Sequence, residues 1–284
     1  MQRSDKALVL TLMEMYLKGV STRKVAAVTG RLCGRSFSLK LDQKLAVFRE
    51  RNLEGEYPYL VVDAPCEKVR VCGKVISQGI LICVGISEEG RREIHAVEIA
   101  DTLSQTTWSD LFRRLKRWGL SGVRLVVSDD HEGIKAAVAR HFQGASFKRC
   151  QYHFIRNLLS LAPKGRKQDL HRELRAIFDG PDLDVARRFL SETIARWEKI
   201  RPEVAERLKE AQDDVLCCFY FPAPHRRRIR TTNALERANQ ESRRRTRVVR
   251  IFPNREAALR LITALRGAVG GMGDLEALSR YAFS

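Results

Sequence analysis

The sequence predicts an α/β protein in which helices flank one mixed β-sheet. Between residues 59 and 150, apolar stretches bounded by Gly, Pro and acidic residues follow the order β-β-β-α-β-α-β. Residues 154–218 instead carry Leu, Ala and Ile at helical spacing among charged residues, with Pro and Gly between about four segments. We therefore expect a sheet covered by helices and an additional all-helical part.

Residues 7–50 are predicted to form three short helices separated by Gly19 and Gly34. This pattern is compatible with a degenerate helix-turn-helix that reads DNA, and equally with any small helical bundle. The sheet is predicted to begin after Pro58. Its first part is an antiparallel meander, which we assign to residues 59–63, 68–75, 76–86 and 92–99.

The second part of the predicted sheet alternates with helices. Residues 108–118 carry large apolar side chains at the spacing of an amphipathic helix. Residues 123–129 form a strand, and residues 132–141 and 146–150 form the next helix and strand. After the all-helical part, residues 231–268 return to helix, loop and helix. The predicted units are a helical segment, a first core part, a helical insertion and a C-terminal core part, at residues 1–55, 56–157, 158–222 and 223–284.

The charge balance points to a polyanionic partner. The chain has 52 Lys and Arg against 34 Asp and Glu, a net charge of +18. An enzyme for small neutral substrates does not need this excess, so nucleic acid is the leading partner and a merely basic protein the alternative. Apolar runs are too short to span a membrane and no signal peptide is recognisable, so we expect a cytoplasmic protein. Seven irregularly spaced cysteines predict free thiols.

Asp63 and Asp129 are candidate metal ligands because each ends a predicted strand. Ligand sites collect at the carboxyl ends of strands in open α/β sheets. Two carboxylates that meet there repel each other unless a cation lies between them, and Mg²⁺ accepts such oxygen ligands. The alternative is that each Asp only caps the turn that follows its strand.

Glu236 is the candidate third acid. It lies within residues 225–250, which contain ten arginines and two glutamates. Arginines can hold the phosphates of a nucleic acid while an acid holds a metal ion. Two alternatives stay open. Glu236 with Asn233 also fits a capping box, and the arginines also fit a solvated or RNA-binding basic run.

Together these motifs resemble the Mutator-type transposases of bacterial insertion sequences. The similar stretches are residues 62–64 with 68–70, 128–137, 149–157, and 228–237 with 243–247. The resemblance runs from about residue 14 to residue 267, and it implies an RNase H-like fold with an all-helical insertion before the last acid. It also implies a catalytic DDE triad of Asp63, Asp129 and Glu236. The family spacing of Asp, three residues and Gly133 selects Asp129 rather than Asp130.

The same resemblance implies cleavage and strand transfer of double-stranded DNA in transposition, at element ends and at a target. The triad would hold two Mg²⁺ ions, for which Mn²⁺ substitutes. A homodimer or larger assembly near the bacterial nucleoid would bring two ends together. Members of the family have a longer N-terminal region, so we expect an N-terminally truncated chain. The implied DNA-binding residues are Arg237, Arg243, Arg244, Arg245 and Arg247.

Cys150 and His153 resemble the Cys-x-x-His segment of the family. A zinc site needs more ligands than this pair supplies, so an auxiliary role near the triad is the stronger interpretation. His131 and Asn233 are assigned the same auxiliary role. Two alternative functions remain, namely a decayed or repurposed transposase that binds DNA without cleaving it and a structure-selective nuclease on the same fold.

Overall fold

The computed structural model of the protein describes residues 46, 48, 50–229 and 250–269. Within these residues, six strands form one mixed sheet with helices around it, as the sequence predicts. The strands are β1 Tyr59–Asp63, β2 Cys66–Val71, β3 Lys74–Ile86, β4 Arg92–Ala100, β5 Leu125–Ser128 and β6 Ser146–Arg149. The α-helices are α1 Gln105–Arg117, α2 Glu132–His141, α3 Gln151–Leu161, α4 Lys167–Phe178, α5 Leu183–Ile200, α6 Pro202–Leu216, α7 Ala223–Ile229 and α8 Arg255–Val269.

Strands β1 and β2 pair one after the other with the same edge of β3. Asp63 pairs with Ile82 and Cys66 pairs with Gly79, so the antiparallel register is the same on both sides of the break. The carbonyl of Pro65, within the break, still accepts a backbone hydrogen bond from β3 (2.8 Å). On its other edge β3 pairs with β4, which completes the predicted antiparallel meander. The sheet then continues from β1 to β5 and β6 in parallel pairs.

The two faces of the sheet bury different helices. Leu60 and Val62 pack on one face under α1 and α2, together with Trp108 of α1. Tyr59 and Val61 pack on the opposite face with α3 and with the core that α4, α5 and α6 extend. This alternation follows from the period of two residues along a strand. We call the two sides the α1/α2 face and the α3 face.

The packing of helix α1 explains the apolar pattern from which it was predicted. The Ser104 hydroxyl caps its first turn by accepting a hydrogen bond from the amide of Thr107 (3.3 Å). Trp108, Phe112 and Leu115 lie on its inner side and are fully buried. Burial of each such side chain stabilises the fold by about 1.5–3 kcal/mol, which fixes the helix on the sheet.

The structure differs from the sequence prediction at the start of α7. The prolines around position 223 predict the end of a helical segment, whereas α7 begins at Ala223. Proline is tolerated in the first turn of a helix because its missing N–H has no helical acceptor there. The predicted helices before residue 46 lie outside the described residues. In the described part of the chain, the helices are too short or too polar to cross a membrane.

A buried polar cluster joins the segment before β1 to the start of β4. The Glu93 carboxylate accepts hydrogen bonds from the Arg51 guanidinium (2.9 Å) and from the Tyr57 hydroxyl. The Tyr57 ring stands edge-on to the His95 ring, with centroids 4.2 Å apart. His95 is fully buried, and this burial lowers its pKa to about 4.

We predict that acidification destabilises the protein partly through His95. In the unfolded chain its ring takes up a proton near pH 6.5, whereas the folded ring stays neutral down to about pH 4. The stability is therefore complete above pH 6.5 and is lost as the pH falls towards 4. Urea unfolding at several pH values measures this loss. His95→Gln should give a shallower slope over that interval, and equal slopes would contradict the assignment.

Candidate active site

The structure brings together two of the three predicted acids. Strands β1 and β5 are parallel neighbours, with Val61 opposite Val127. Continued by two residues, this register sets Asp63 beside Asp129, where both strands reach their carboxyl ends. Neighbouring strands lie about 4.8 Å apart, so the two backbones are adjacent at this edge. Both aspartates are half-buried.

The two aspartates follow strand residues that face the same side of the sheet. Val61 and Val127 pack into the core of the α3 face. Since side chains alternate along a strand, Asp63, two residues after Val61 in β1, belongs to the α3 face, and Asp129 directly follows the end of β5. The two aspartates therefore lie at one edge of the sheet.

Asp129 and Asp130 have different surroundings. The Asp130 carboxylate pairs with the Lys135 ammonium (2.7 Å) and with the Arg149 guanidinium (2.5 Å). Asp129 forms no ion pair with any described residue, and its carboxylate accepts a hydrogen bond from the Ser128 hydroxyl (3.2 Å). The charge of Asp130 is thus neutralised by protein cations, whereas no described cation pairs with Asp129.

His131 caps helix α2 and orders the turn after Asp129. Its Nδ1 accepts a hydrogen bond from the amide of Gly133 (3.2 Å), and its own amide donates to the Asp129 carbonyl (3.0 Å). A Cβ at Gly133 would lie 2.9 Å from the Leu103 carbonyl oxygen, so only glycine fits this close approach. The geometry gives His131 a positional role, and any auxiliary role in chemistry stays a prediction.

Cys150 and His153 lie at the start of helix α3. Cys150 is the N-cap residue, is buried in the core of the α3 face, and its amide donates to the Ser128 carbonyl (2.5 Å). His153 lies in the first turn and is half-buried. Over the residues that the structure describes, no group of three or more His, Cys, Asp and Glu side chains is arranged to hold a metal ion. The pair is therefore positioned next to β5 by the packing of α3.

The third acid and the predicted DNA-binding arginines lie outside the described residues. These are Asn233, Glu236, Arg237, Arg243, Arg244, Arg245 and Arg247. Both flanks of their segment are described. On one side the Tyr59 hydroxyl and His225 Nδ1 share a hydrogen bond (2.6 Å), and Ile229 is buried in the core. On the other side Phe252 forms a parallel bridge with Val69 of β2.

Two further charged residues were not predicted from the sequence. Lys148 is fully buried in β6, and its ammonium donates a hydrogen bond to the Arg149 carbonyl (3.2 Å). Asp214 of α6 accepts a hydrogen bond from the Arg149 Nε (3.0 Å). Nothing in the short polar sequence of β6 predicts that Lys148 is buried. Arg149 and Asp214 are 65 positions apart, so no local sequence pattern predicts their contact.

Comparisons with known proteins agree with the resemblance. Residues 1–269 match the family described as Transposase, Mutator family. The transposase for insertion sequence element ISRM5 of Rhizobium meliloti (strain 1021) is 47% identical over 272 residues, 93% of this chain and 68% of that protein. The transposase for IS406 of Burkholderia multivorans is 42% identical over 274 residues, with coverages of 93% and 70%. The chain in a Drosophila P element transposase strand transfer complex is similar in fold alone, with a TM-score of 0.51, 12% identity and coverages of 95% and 92%.

We predict that Tyr59→Phe loosens helix α7. Loss of the hydrogen bond to His225 costs about 1 kcal/mol, which raises the locally opened population of α7 about fivefold. Trypsin should then cleave faster after the arginines of α7. The matched control is Tyr220→Phe, which removes an exposed hydroxyl that accepts a hydrogen bond from the Arg187 guanidinium (3.1 Å). This control should leave the cleavage rate unchanged. Identical cleavage of Tyr59→Phe and the wild type would show that this bond does not anchor α7.

Proposed function

Since this chain belongs to the Mutator family of transposases, we propose that it is a DDE transposase that cuts DNA at the ends of an insertion sequence and joins them to a target. The observation that carries the proposal is the parallel register of β1 with β5. Because of that register, Asp63 and Asp129 have neighbouring positions at one edge of the sheet. The known family relationship gives this pair of acids its proposed role.

The proposed fold is RNase H-like. Its support is the sheet, in which an antiparallel three-stranded unit is extended from β1 by the parallel strands β5 and β6, with helices on both faces. The likeness to the P element transposase chain agrees with it. The four-unit division stays a proposal, with α4, α5 and α6 as the insertion of residues 158–222 that precedes the last acid.

Glu236 is proposed as the third member of the site. The described chain before it ends at Ile229, which is buried in the core of the α3 face. Glu236 follows Ile229 by seven positions, and seven residues of chain reach up to about 24 Å. Tyr59, which anchors α7, is about 13 Å along the strand from Asp63. The connection is therefore long enough for Glu236 to approach the two aspartates.

The donor set fits magnesium. Carboxylate oxygens are hard ligands, and Mg²⁺ or Mn²⁺ would offset the repulsion between two acids at one sheet edge. Asp63, Asp129 and Glu236 are the residues proposed to hold two such ions. Bound there, the ions would lower the pKa of an attacking water or 3′-hydroxyl and stabilise charge on the departing oxygen. The chain itself contributes the geometry, since its strand ends hold the carboxylates at one place.

Double-stranded DNA is the proposed partner. The net charge of +18 favours a polyanion, and Arg237, Arg243, Arg244, Arg245 and Arg247 are proposed to contact its phosphates. Such contacts give affinity that falls with salt and depends little on sequence. Since two element ends must meet, we propose a homodimer or larger assembly that acts at the nucleoid in a bacterial cytoplasm.

We predict metal-dependent nicking of DNA that carries the ends of the element. Asp63→Asn, Asp129→Asn and Glu236→Gln should each lower the nicking rate at least about 100-fold, because each removes a proposed metal ligand. Binding of the same DNA should be retained. Gel assays with Mg²⁺, Mn²⁺ and EDTA measure the rate, and Asp110→Asn, at an exposed position paired with Arg113, is the control of equal charge change.

The outcomes separate the alternatives. Unchanged nicking in all three variants excludes the DDE site. DNA binding by the wild type without nicking under any metal condition favours the non-catalytic DNA-binding protein. Hydrolysis without joined products favours a structure-selective nuclease, whereas strand-transfer products favour the transposase.

A further inference from the structure

Four alternating charges connect helix α6 with the turn that follows Asp129. The Arg149 guanidinium contacts two carboxylates, Asp130 through Nη1 (2.5 Å) and Asp214 through Nε (3.0 Å). The Lys135 ammonium bridges the same two acids, at 2.7 Å from Asp130 and 3.8 Å from Asp214. We call these four residues the bridging cluster. Its formal charges cancel.

The bridging cluster is partly shielded from water. The Arg149 side chain is 12% exposed, and those of Lys135, Asp214 and Asp130 are 25%, 29% and 32% exposed. Ion pairs at this depth are screened less by salt than fully exposed pairs. Burial alone would lower the pKa of Lys135, but its bond to Asp130 and the charges of Asp130 and Asp214 raise it, so the ammonium stays charged. Removal of one carboxylate would leave two cations close together.

The cluster controls which way the turn presents its two acids. The Asp130 carboxylate is held beside α2 and β6 by Lys135 and Arg149. Asp129, the preceding residue of the same turn, is held differently, because its carboxylate accepts a hydrogen bond from the Ser128 hydroxyl (3.2 Å). Asp214 in turn holds Arg149 in place. Through Arg149, a residue of α6 thus acts on the orientation of the turn that carries Asp129.

We propose that Asp214 is a positioning residue for the metal site, acting through Arg149 on the turn of residues 129–131. This inference rests on the proposed function, because it assigns Asp129 to the metal. This role requires no contact of Asp214 with the metal or with DNA. Its effect is to keep the Asp129 carboxylate directed towards Asp63 before a metal ion binds, which lowers the cost of assembling the site.

Asp214→Asn tests this role against a close control. The substitution keeps the side-chain shape and removes the charge that holds Arg149. Asp213→Asn makes the same charge change one residue earlier in α6, at an exposed position outside the cluster. Mn²⁺ affinity measured by calorimetry, without DNA, should fall about tenfold in Asp214→Asn and stay unchanged in Asp213→Asn. The nicking rate at fixed Mn²⁺ should fall similarly, while DNA affinity stays equal in both variants.

Hydrogen exchange gives a readout without metal. The amide of His131, which donates to the Asp129 carbonyl (3.0 Å), should exchange faster in Asp214→Asn than in Asp213→Asn. Arg149→Lys keeps the charge but cannot bridge two carboxylates in the same way, and it should show the same pattern. This variant also serves if Asp214→Asn does not fold.

The results distinguish this inference from the proposed function. Equal Mn²⁺ affinity and equal exchange in folded Asp214→Asn and Asp213→Asn, with an active wild type, overturn the positioning role alone. A wild type that neither binds Mn²⁺ nor nicks DNA overturns the metal site itself. A uniform loss of stability with unchanged Mn²⁺ affinity identifies the cluster as a packing device and likewise overturns the proposal.

Discussion

The parallel pairing of β1 with β5 is the constraint on which the candidate site depends. Parallel strands have their carboxyl ends at the same edge of a sheet, so the residues that follow them meet. An antiparallel β5 in the same position would carry Asp129 to the opposite edge, about 17 Å from Asp63 for a strand of five residues. Helix α1 supplies the crossover that parallel pairing needs, which explains why an amphipathic helix stands between β4 and β5.

The choice between adjacent acids shows how the sheet and its helices act together. Asp129 and Asp130 are adjacent in the sequence. The sequence favours Asp129 over Asp130 only because the resembled family has a fixed spacing between its acid and a glycine. The structure adds a physical reason, because Lys135 and Arg149 neutralise Asp130 on one side of the turn. Asp129 directly follows β5, and the parallel register with β1 sets its backbone beside Asp63. Of the two acids, Asp129 is the one that no described cation pairs with, and this agrees with the metal role proposed for it.

Features set by local pattern were predictable, and features set by distant contacts were not. The bounds of α2 and β1 follow from periodicity and from the turn residues beside them, and the structure has the same bounds. The start of α7 was missed because two prolines resemble a break, although a first helical turn accepts them. Burial of Lys148 and the pair of Arg149 with Asp214 depend on how α6 docks on β6, which no window of sequence contains. Glu236 and its arginines lie outside the described residues, so their assignment still rests on the sequence.

The docking of α6 has two consequences that cannot be separated. Strand β6 is the last strand of the described sheet, and an exposed edge invites pairing with other chains. Helix α6 packs on β6, and the Cys217 thiol just after it donates to the Phe147 carbonyl (3.6 Å), so this edge is covered. The same packing carries Asp214 to Arg149. Protection of the sheet edge and orientation of the Asp129 turn thus depend on the same interface between α6 and β6. If α6 separated from β6, the edge would be exposed and the turn would lose its support.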